Sequence, residues 1–372
     1  MSHPAPKPVD RLFLGLIVIL VIGGFLIFTS ASLGLLARGG ATVGSVAVSQ
    51  FLFGIVGGSL ALFLASNIHY RHWRRFAWYI FAATLLFTVA VFIPGLGMSH
   101  GGATRWLDLG FTTVQPAEFL KIGFVIYAAT WLSGVPKQVT TWRYGVLPFA
   151  GIMAVVGLVM LAQPDTDTFF VMCLAGAAMF ITAGARLSHI ALLGVAGIIL
   201  LMSIAFMRPY VMDRLTTFLD PTSDPLGSSY QIQQSLIAIG SGGVLGRGYG
   251  QSIQKFEYLP EPIGDSVFAV YAEEFGFLGT TILIGILALF TFRGFKIATQ
   301  ASDRFSMLLV VGIMTLIVTQ AFLNIAAMVG LAPLSGLPLP FLSHGGTALL
   351  ATLGSLGIVL NVSKYRLPTR RT

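Results

Sequence analysis

The chain has 372 residues, of which 55% are hydrophobic and only 10% are charged, and its mean hydropathy is +0.85. Soluble proteins carry roughly 25% charged residues, so this composition excludes an ordinary soluble protein and indicates an integral membrane protein. The net charge of +8 comes from short basic clusters at the ends of apolar runs, which argues against nucleic acid as a partner. The single cysteine, Cys173, excludes an internal disulfide and a cysteine metal cluster.

Apolar runs of about 20 residues, the length that a membrane helix needs, follow one another along the chain. They lie near residues 12–31, 47–66, 76–95, 115–134, 144–162, 168–184, 188–206, 266–291, 306–329 and 346–362. The predicted fold is therefore all-α, a polytopic membrane bundle of about ten transmembrane helices in a single domain over residues 1–372. A large loop, near residues 207–264, separates the seventh and eighth spans. The many later spans favour a retained first helix over a cleaved signal peptide.

The distribution of charge predicts the orientation of this bundle. Most of the 22 Lys and Arg residues fall in the loops on the side that holds both termini, and most Asp and Glu residues fall on the other side. By the positive-inside rule, both termini are expected to be cytoplasmic. The outward segments are then the loop around Arg38, residues 95–113, residues 163–167, residues 207–264 and residues 330–346.

The long outward loop has three predicted parts. Residues 208–224 are polar and rich in turn signals, which predicts an irregular segment. Residues 230–239 carry spaced apolar side chains among Gln and Ser, which predicts a short helix in the membrane interface. Residues 240–250 are rich in glycine and are flanked by Arg247 and Lys255. Such a run is either a flexible turn or a loop whose backbone N–H groups approach an anion.

Asp265 is the strongest candidate for chemistry, because it follows a Pro- and Gly-containing turn and stands at the entry of the eighth span. Its carboxylate either caps that helix or faces a cavity as a general base, and Ser266 could replace it as the cap. Nearby acids at Glu257, Glu261, Glu273 and Glu274 are expected to raise some carboxyl pKa values. Pro260 and Pro262 prevent Glu257, Glu261 and Asp265 from sharing one helical face. Structural partners are expected for Glu273 and Glu274.

A second polar group opens the fourth span. Glu118 and Lys121 are three residues apart and are expected to pair on one helix face, which lets both enter the membrane. Just before them, Arg105 is a candidate phosphate ligand. The predicted outward cations are Arg105, Lys121, Arg208, Arg214, Arg247 and Lys255. Cations suit a pyrophosphate leaving group and a carboxylate suits an attacking hydroxyl, so these residues indicate an outward site for an anionic, lipid-linked ligand.

Ordered blocks over most of the chain resemble the SEDS family (shape, elongation, division and sporulation), which comprises FtsW, RodA and SpoVE. These blocks are residues 102–106, 115–121, 163–165, 242–250, 255–261 and 338–346. The Lys-x-x-Tyr-Leu-Pro-Glu form at Lys255–Glu261 is most similar to the FtsW branch. One departure is that Ile263 and Gly264 precede Asp265, where the family usually has His-Thr.

The resemblance implies a peptidoglycan glycosyltransferase that polymerises lipid II on the outer face of the bacterial cytoplasmic membrane during septal wall synthesis. It implies that Asp265 is the catalytic aspartate, with Glu273–Gly276 fixing the register. The supporting residues expected around it are Arg105, Glu118, Lys121, Arg247, Lys255, Glu257, Glu261 and Ser343. No cofactor is certain, and a divalent cation, Mg²⁺ or Mn²⁺, is left open. The implied partners are lipid II, an FtsI-like class B penicillin-binding protein (a transpeptidase), other divisome membrane proteins and membrane lipids.

Two alternatives stay open from the sequence. A flippase or transporter for lipid-linked precursors is also a many-helix bundle with buried charges, and it predicts charges near the bilayer midplane and internal repeats. A non-catalytic scaffold that only recruits the transpeptidase predicts normal growth for an Asp265 mutant that keeps its contacts. The crowding of acids toward the outward surface favours the enzyme.

Overall fold

The structure, a computed structural model, describes residues 7–37, 43–100, 103–110, 112–207, 209–220, 224, 227 and 229–367. Arg38, Gly102 and Arg208, each part of a sequence prediction, lie outside these residues. The described part is a helix bundle with one small sheet, as expected for an all-α membrane protein.

Helices occupy each of the ten predicted stretches. The first half of the chain forms α1 (Arg11–Ala37), α2 (Val43–Ser49), a π-helical segment (Gln50–Gly57) that continues into α3 (Gly58–Asn67), α4 (Tyr70–Arg75), α5 (Ala77–Val89), α6 (Pro116–Gly134), α7 (Leu147–Ala162) and α8 (Thr166–Thr182). The second half forms α9 (Leu187–Met207), α10 (Pro209–Leu219), α11 (Tyr230–Ser241), α12 (Gln254–Glu257), α13 (Val267–Thr299), α14 (Arg304–Met328) and α15 (Gly346–Lys364).

Within the described residues, 7 helices are long and apolar enough to cross a membrane, and two shorter apolar helices accompany them. The chain is therefore a multi-pass membrane protein, and the count of ten spans stays a prediction. Helix α14 lies at the centre, because it contacts α6, α8, α13 and α15. In its most apolar stretch of 18 residues, 67% is buried inside the protein. Helix α9 lies at the edge, because only 6% of its apolar stretch of 18 residues is buried. Polar side chains on α14 are thus shielded from lipid, where their unsatisfied groups would be costly.

Two of the segments that were predicted to face outward contain regular secondary structure. Residues 95–113 contain a small antiparallel sheet in the order β1 (Gly97–His100), β2 (Ala103–Asp108), β3 (Thr113–Val114). The prediction of an irregular segment over residues 208–224 was wrong for Pro209–Leu219, which form α10. Proline at the first helical position suits a helix start, because its missing N–H is not needed there. The helix predicted over residues 230–239 is confirmed as α11.

At the end of the bundle away from Asp265, described residues near the two ends of the chain bind each other. Asp10 is buried and accepts hydrogen bonds from Arg293 (2.7 and 3.0 Å) and Arg366 (2.6 Å). The Lys7 backbone N–H donates to the Lys364 carbonyl at 2.9 Å. Burial opposes ionisation of Asp10, but the arginine hydrogen bonds prevail and the pKa of Asp10 lies below its usual value. These contacts join the start of α1 to the ends of α13 and α15.

Candidate active site

Asp265 lies in the loop between α12 and α13, two residues before α13 begins, and its side chain is half-buried. The cap position of α13 is Ser266, and no side chain caps the helix there. Asp265 is therefore free of the capping role. Its Oδ1 atom instead accepts a hydrogen bond from Gln231 Nε2 on α11 at 3.1 Å. The same Gln231 Nε2 lies 3.1 Å from Ser266 Oγ.

The backbone around Asp265 is held by the irregular segment that precedes α15. Asn324 Nδ2, on α14, donates to the carbonyls of both Asp265 and Leu337 at 2.8 Å. Ser343 Oγ donates to the Gly264 carbonyl at 2.6 Å and accepts from the Leu339 N–H at 2.8 Å. The predicted supporting residue Ser343 thus holds the loop that carries Asp265, one residue away from it.

The surroundings of Asp265 suit a proton acceptor. Burial raises the pKa of Asp265 to about 6, and the negative charge of Glu261 adds to this effect. The Gln231 hydrogen bond and the positive charge of Arg214 act in the opposite direction. A carboxylate with a pKa near the working pH is a stronger base than an ordinary aspartate and is still ionised at pH 7.

The predicted pair of Glu118 and Lys121 is confirmed and reaches the site through a third residue. Lys121 Nζ donates to Glu118 Oε1 at 2.8 Å and to Gln320 Oε1 at 2.7 Å. Gln320 Nε2 then donates to the Pro338 carbonyl at 2.8 Å. Gln320 and Asn324 are four residues apart on α14 and therefore lie on one face of that helix. Both donate to backbone carbonyls of the segment that holds the Asp265 loop. Glu118 and Lys121 therefore act on Asp265 only through this chain of contacts.

Two arginines bind the turn between α7 and α8. On β2, Arg105 donates to the carbonyls of Gln163 (3.3 Å) and Pro164 and lies 3.9 Å from the buried Asp165 carboxylate. On α10, Arg214 Nη1 donates to Asp167 Oδ2 at 2.6 Å. Asp167 Oδ2 also accepts from the Gly336 N–H at 3.1 Å. Segments from four parts of the chain that were predicted to face outward thus meet at the Asp265 end.

Arg247 and Lys255 bind a separate pair of buried carboxylates, with Lys255 buried and Arg247 exposed. Lys255 is fully buried and its Nζ donates to Glu274 Oε1 (2.7 Å) and Ser30 Oγ (3.0 Å). Glu273 accepts hydrogen bonds from Ser252 Oγ and from the Ile253 and Gln254 N–H groups, and Arg247 lies 3.4 Å from it. Glu273 and Glu274 therefore have the structural partners that were expected. Lys255 supports the fold of the long loop, and its ammonium group does not face Asp265.

The glycine-rich run has a structural use that explains its composition. Helix α13 is broken at Gly276, and residues 243–248 are inserted at the break. The N–H groups of Arg247 and Gly248 donate to the carbonyls of Glu273 and Glu274, and the N–H groups of Phe277 and Leu278 donate to Gly243 and Val244. These groups satisfy one another, so the run serves packing here and not an anion.

The remaining predicted residues, Glu257 and Glu261, are exposed at the surface of the loop. Glu261 has a positive φ of 45°, and its carbonyl accepts from the Gly264 and Ser266 N–H groups. Among the described residues, no group of three or more His, Cys, Asp or Glu side chains is placed to hold a metal ion. The described residues therefore offer no site of three such ligands for Mg²⁺ or Mn²⁺, and no step of the proposed reaction is assigned to a metal ion.

Sequence reasoning missed Gln231, Gln320, Asn324 and Asp167. Two of them, Gln320 and Asn324, are polar residues four apart inside an apolar run, and that pattern could have identified them as buried contacts. Gln231 carried no such signal, because Gln and Ser are ordinary residues of a surface helix. Arg214 was among the predicted cations, and its positive charge acts on Asp265.

Comparison with known proteins identifies relatives over most of the chain. The profile of the FtsW, RodA and SpoVE family, described as "Cell cycle protein", matches residues 10–367. Stage V sporulation protein E of Bacillus subtilis is 40% identical over 316 residues, which are 85% of this chain and 86% of that protein. A protein named probable peptidoglycan glycosyltransferase FtsW, from Geobacter sulfurreducens, is 37% identical over 300 residues, 81% of this chain and 80% of that protein.

Solved structures agree with these relatives. One chain, from a structure described as a peptidoglycan synthase complex that coordinates polymerization and crosslinking, has a TM-score of 0.78 and 28% identity and covers 95% of this chain and 97% of its own. The rod shape determining protein RodA of Thermus thermophilus has a TM-score of 0.71 and 26% identity, with 97% of this chain and 98% of its own covered. The chain therefore belongs to the FtsW, RodA and SpoVE family of cell cycle proteins.

Proposed function

We propose that the chain is a peptidoglycan glycosyltransferase that polymerises lipid II during septal wall synthesis, with Asp265 as the general base. The observation that carries the proposal is the state of Asp265, a half-buried carboxylate with a pKa raised to about 6 and one oxygen held by Gln231. Relatives named probable peptidoglycan glycosyltransferase FtsW support the choice of reaction. The structural relative from a peptidoglycan synthase complex supports a partnership with an FtsI-like transpeptidase. Association with other divisome membrane proteins is part of the proposal.

In the proposed reaction, Asp265 takes the proton from the 4-hydroxyl group of the acceptor sugar. The hydroxyl oxygen attacks the anomeric carbon of the donor chain from the side opposite to the leaving group. The bond between that carbon and the pyrophosphate oxygen breaks, undecaprenyl pyrophosphate leaves, and the configuration at the carbon inverts. Arg214, whose positive charge acts on Asp265 and which also binds Asp167, is the candidate to offset negative charge on the leaving group.

The proposed orientation has both termini in the cytoplasm and Asp265 on the outer face of the cytoplasmic membrane. Basic residues near the termini support it by the positive-inside rule. Asp265 precedes the first residue of α13 and Arg293 lies near the last, so the two ends of one long helix belong to opposite sides. In a Cys173→Ala background, a cysteine at Glu257 should react with a membrane-impermeant maleimide in intact cells. If the cysteine at this exposed position does not react, the orientation is the opposite of the one proposed.

The proposal is tested with the full chain and its transpeptidase partner, purified together in proteoliposomes with fluorescent lipid II. Asp265→Asn should reduce the rate of glycan polymerisation by about 10² to 10⁴-fold, because the amide cannot accept the proton. Asp213→Asn is the matched control, since it makes the same change at an exposed carboxylate of α10 that has no role in the proposed reaction, and it should polymerise at the wild-type rate.

Three results separate the alternatives. Polymerisation by Asp265→Asn at the wild-type rate, with unchanged thermal unfolding, would overturn the role of Asp265. Transport of lipid II across the vesicle membrane without polymerisation would instead support a flippase. If neither the wild type nor Asp265→Asn polymerises lipid II, and an Asp265→Asn strain grows normally, the result would support a scaffold.

A further inference from the structure

Gln231 is the one described side chain outside the Asp265 loop that contacts the Asp265 carboxylate. Its Nε2 atom lies 3.1 Å from Asp265 Oδ1 and 3.1 Å from Ser266 Oγ. We propose that Gln231 is a positioning residue, which holds Oδ1 so that Oδ2 faces the acceptor hydroxyl in the productive direction. This inference rests on the proposed function. It gives α11, through Gln231, a role in orienting the Asp265 carboxylate.

The helix that carries Gln231 is firmly placed. Ile232, Ser235 and Ala238 are buried where α11 packs against α13 and α14. Ser235 Oγ donates to the Gln231 carbonyl at 2.8 Å and lies 3.4 Å from Met328 Sδ on α14. These contacts hold the backbone of Gln231, and its side-chain Nε2 atom is held by its two bonds, to Asp265 and to Ser266. A fixed donor orients a partner better than a mobile one, since less freedom is lost when the bond forms.

The Asp265 backbone is fixed from the other side. Asn324 binds the Asp265 carbonyl, and Ser343 binds the carbonyl of Gly264. The remaining freedom of Asp265 is rotation of its side chain, which the Gln231 bond restricts. Within the described residues, Oδ2 has no hydrogen-bond partner, so the two carboxylate oxygens have different surroundings. An oriented carboxylate with one open oxygen is the geometry that proton abstraction needs.

The charges that face Asp265 are few and can be named. Glu261 comes from its own loop, and Arg214 comes from α10. Helix α11 has no charged residue, and α14 has none from Ile313 to Met328. His344, on the segment before α15, stacks on Phe28 at 5.8 Å, and burial lowers its pKa so that it is neutral at pH 7. Loss of the Gln231 donor should therefore raise the pKa of Asp265, because the bond favours the ionised carboxylate.

The test measures lipid II polymerisation against pH for Gln231→Ala, Gln231→Glu and the control Gln234→Ala in the complex with the transpeptidase. Gln234 is a residue of the same type on the same helix, one turn further from its start. We expect Gln231→Ala to lower kcat by about tenfold with little change in KM, as an orienting hydrogen bond from a neutral donor to the carboxylate is lost. Its acid limb should move to higher pH by about half to one unit. Gln231→Glu should move the limb further, because two carboxylates would share one site.

A wild-type kcat and pH profile for Gln231→Ala would overturn the inference. So would a loss of activity with an unmoved acid limb and a lower unfolding temperature, since that combination indicates a structural contact only. Asp265→Asn is run in parallel to separate the two proposals. An inactive Asp265→Asn beside an unaffected Gln231→Ala rejects the positioning role alone, whereas an active Asp265→Asn rejects the proposed function itself.

Discussion

The break in α13 predicts a large effect from one added methyl group. Gly276 has φ of 64° and ψ of −164°, a backbone conformation that is essentially restricted to glycine. A Cβ atom there would contact the Gly246 nitrogen and lie 2.7 Å from the Val244 oxygen and 2.8 Å from the Leu245 carbonyl carbon. The neighbours are backbone atoms of an inserted loop, so they have no flexible side chain that could move aside.

The expected cost of Gly276→Ala follows from two contributions. Backbone strain for a residue with a side chain contributes about 1–3 kcal/mol. Overpacking contributes about 1–3 kcal/mol more, so the total is about 2–6 kcal/mol. Displacement of residues 243–248 would also break the four backbone hydrogen bonds at the kink. The total above is therefore a minimum for the free-energy cost. The matched control is Gly285→Ala in the same helix, where a Cβ atom meets nothing within 4 Å. Alanine there should stabilise the helix by up to about 1 kcal/mol.

The assay is thermal unfolding of the detergent-solubilised protein, followed by intrinsic tryptophan fluorescence. Gly276→Ala should unfold about 3–8 °C below the wild type, and Gly285→Ala at or slightly above it. Equal unfolding temperatures for the two variants would refute the reasoning, because they would mean that the inserted loop adapts to a side chain without cost.

Three further outcomes follow from the contacts of charged residues. Polymerisation should fall as the pH drops through about 6, since Asp265 must be ionised to accept a proton and its pKa is raised to about that value; a rate that is flat between pH 5 and 7 would contradict this. Lys255→Met leaves buried Glu274 without its cation and should cost about 3–5 kcal/mol in thermal unfolding. Adding Glu274→Gln should recover part of that loss, and further destabilisation by the second change would count against the pair. Asp10→Asn removes the charge that two arginines bind and should cost about 1–3 kcal/mol, measured by the same unfolding assay. The comparison is Asp303→Asn, because Asp10 accepts from the Phe13 N–H near the start of α1 as Asp303 accepts from the Ser306 N–H at the start of α14.

Some of the site could be predicted because the interacting residues are close in sequence. Glu118 and Lys121 are three residues apart in a helix, and their pairing follows from helix geometry alone. The standing of Asp265 as the main candidate followed from its place at the entry of an apolar run. By contrast, Lys255 and Arg247 looked like anion ligands beside a glycine-rich loop. Their true partners, Glu274 and Glu273, lie on a helix that only folding brings alongside.

The amino-acid sequence by itself determined that this is a multi-pass, all-α membrane protein of the FtsW, RodA and SpoVE family, and it pointed to Asp265. Hydrophobic length and charge distribution are local properties of the chain, so the sequence alone reveals them. Only the tertiary structure decided which groups surround Asp265, because Gln231, Asn324 and Ser343 come from distant segments. Their carbonyl and carboxylate partners are selected by packing around α14, and no local pattern encodes that choice.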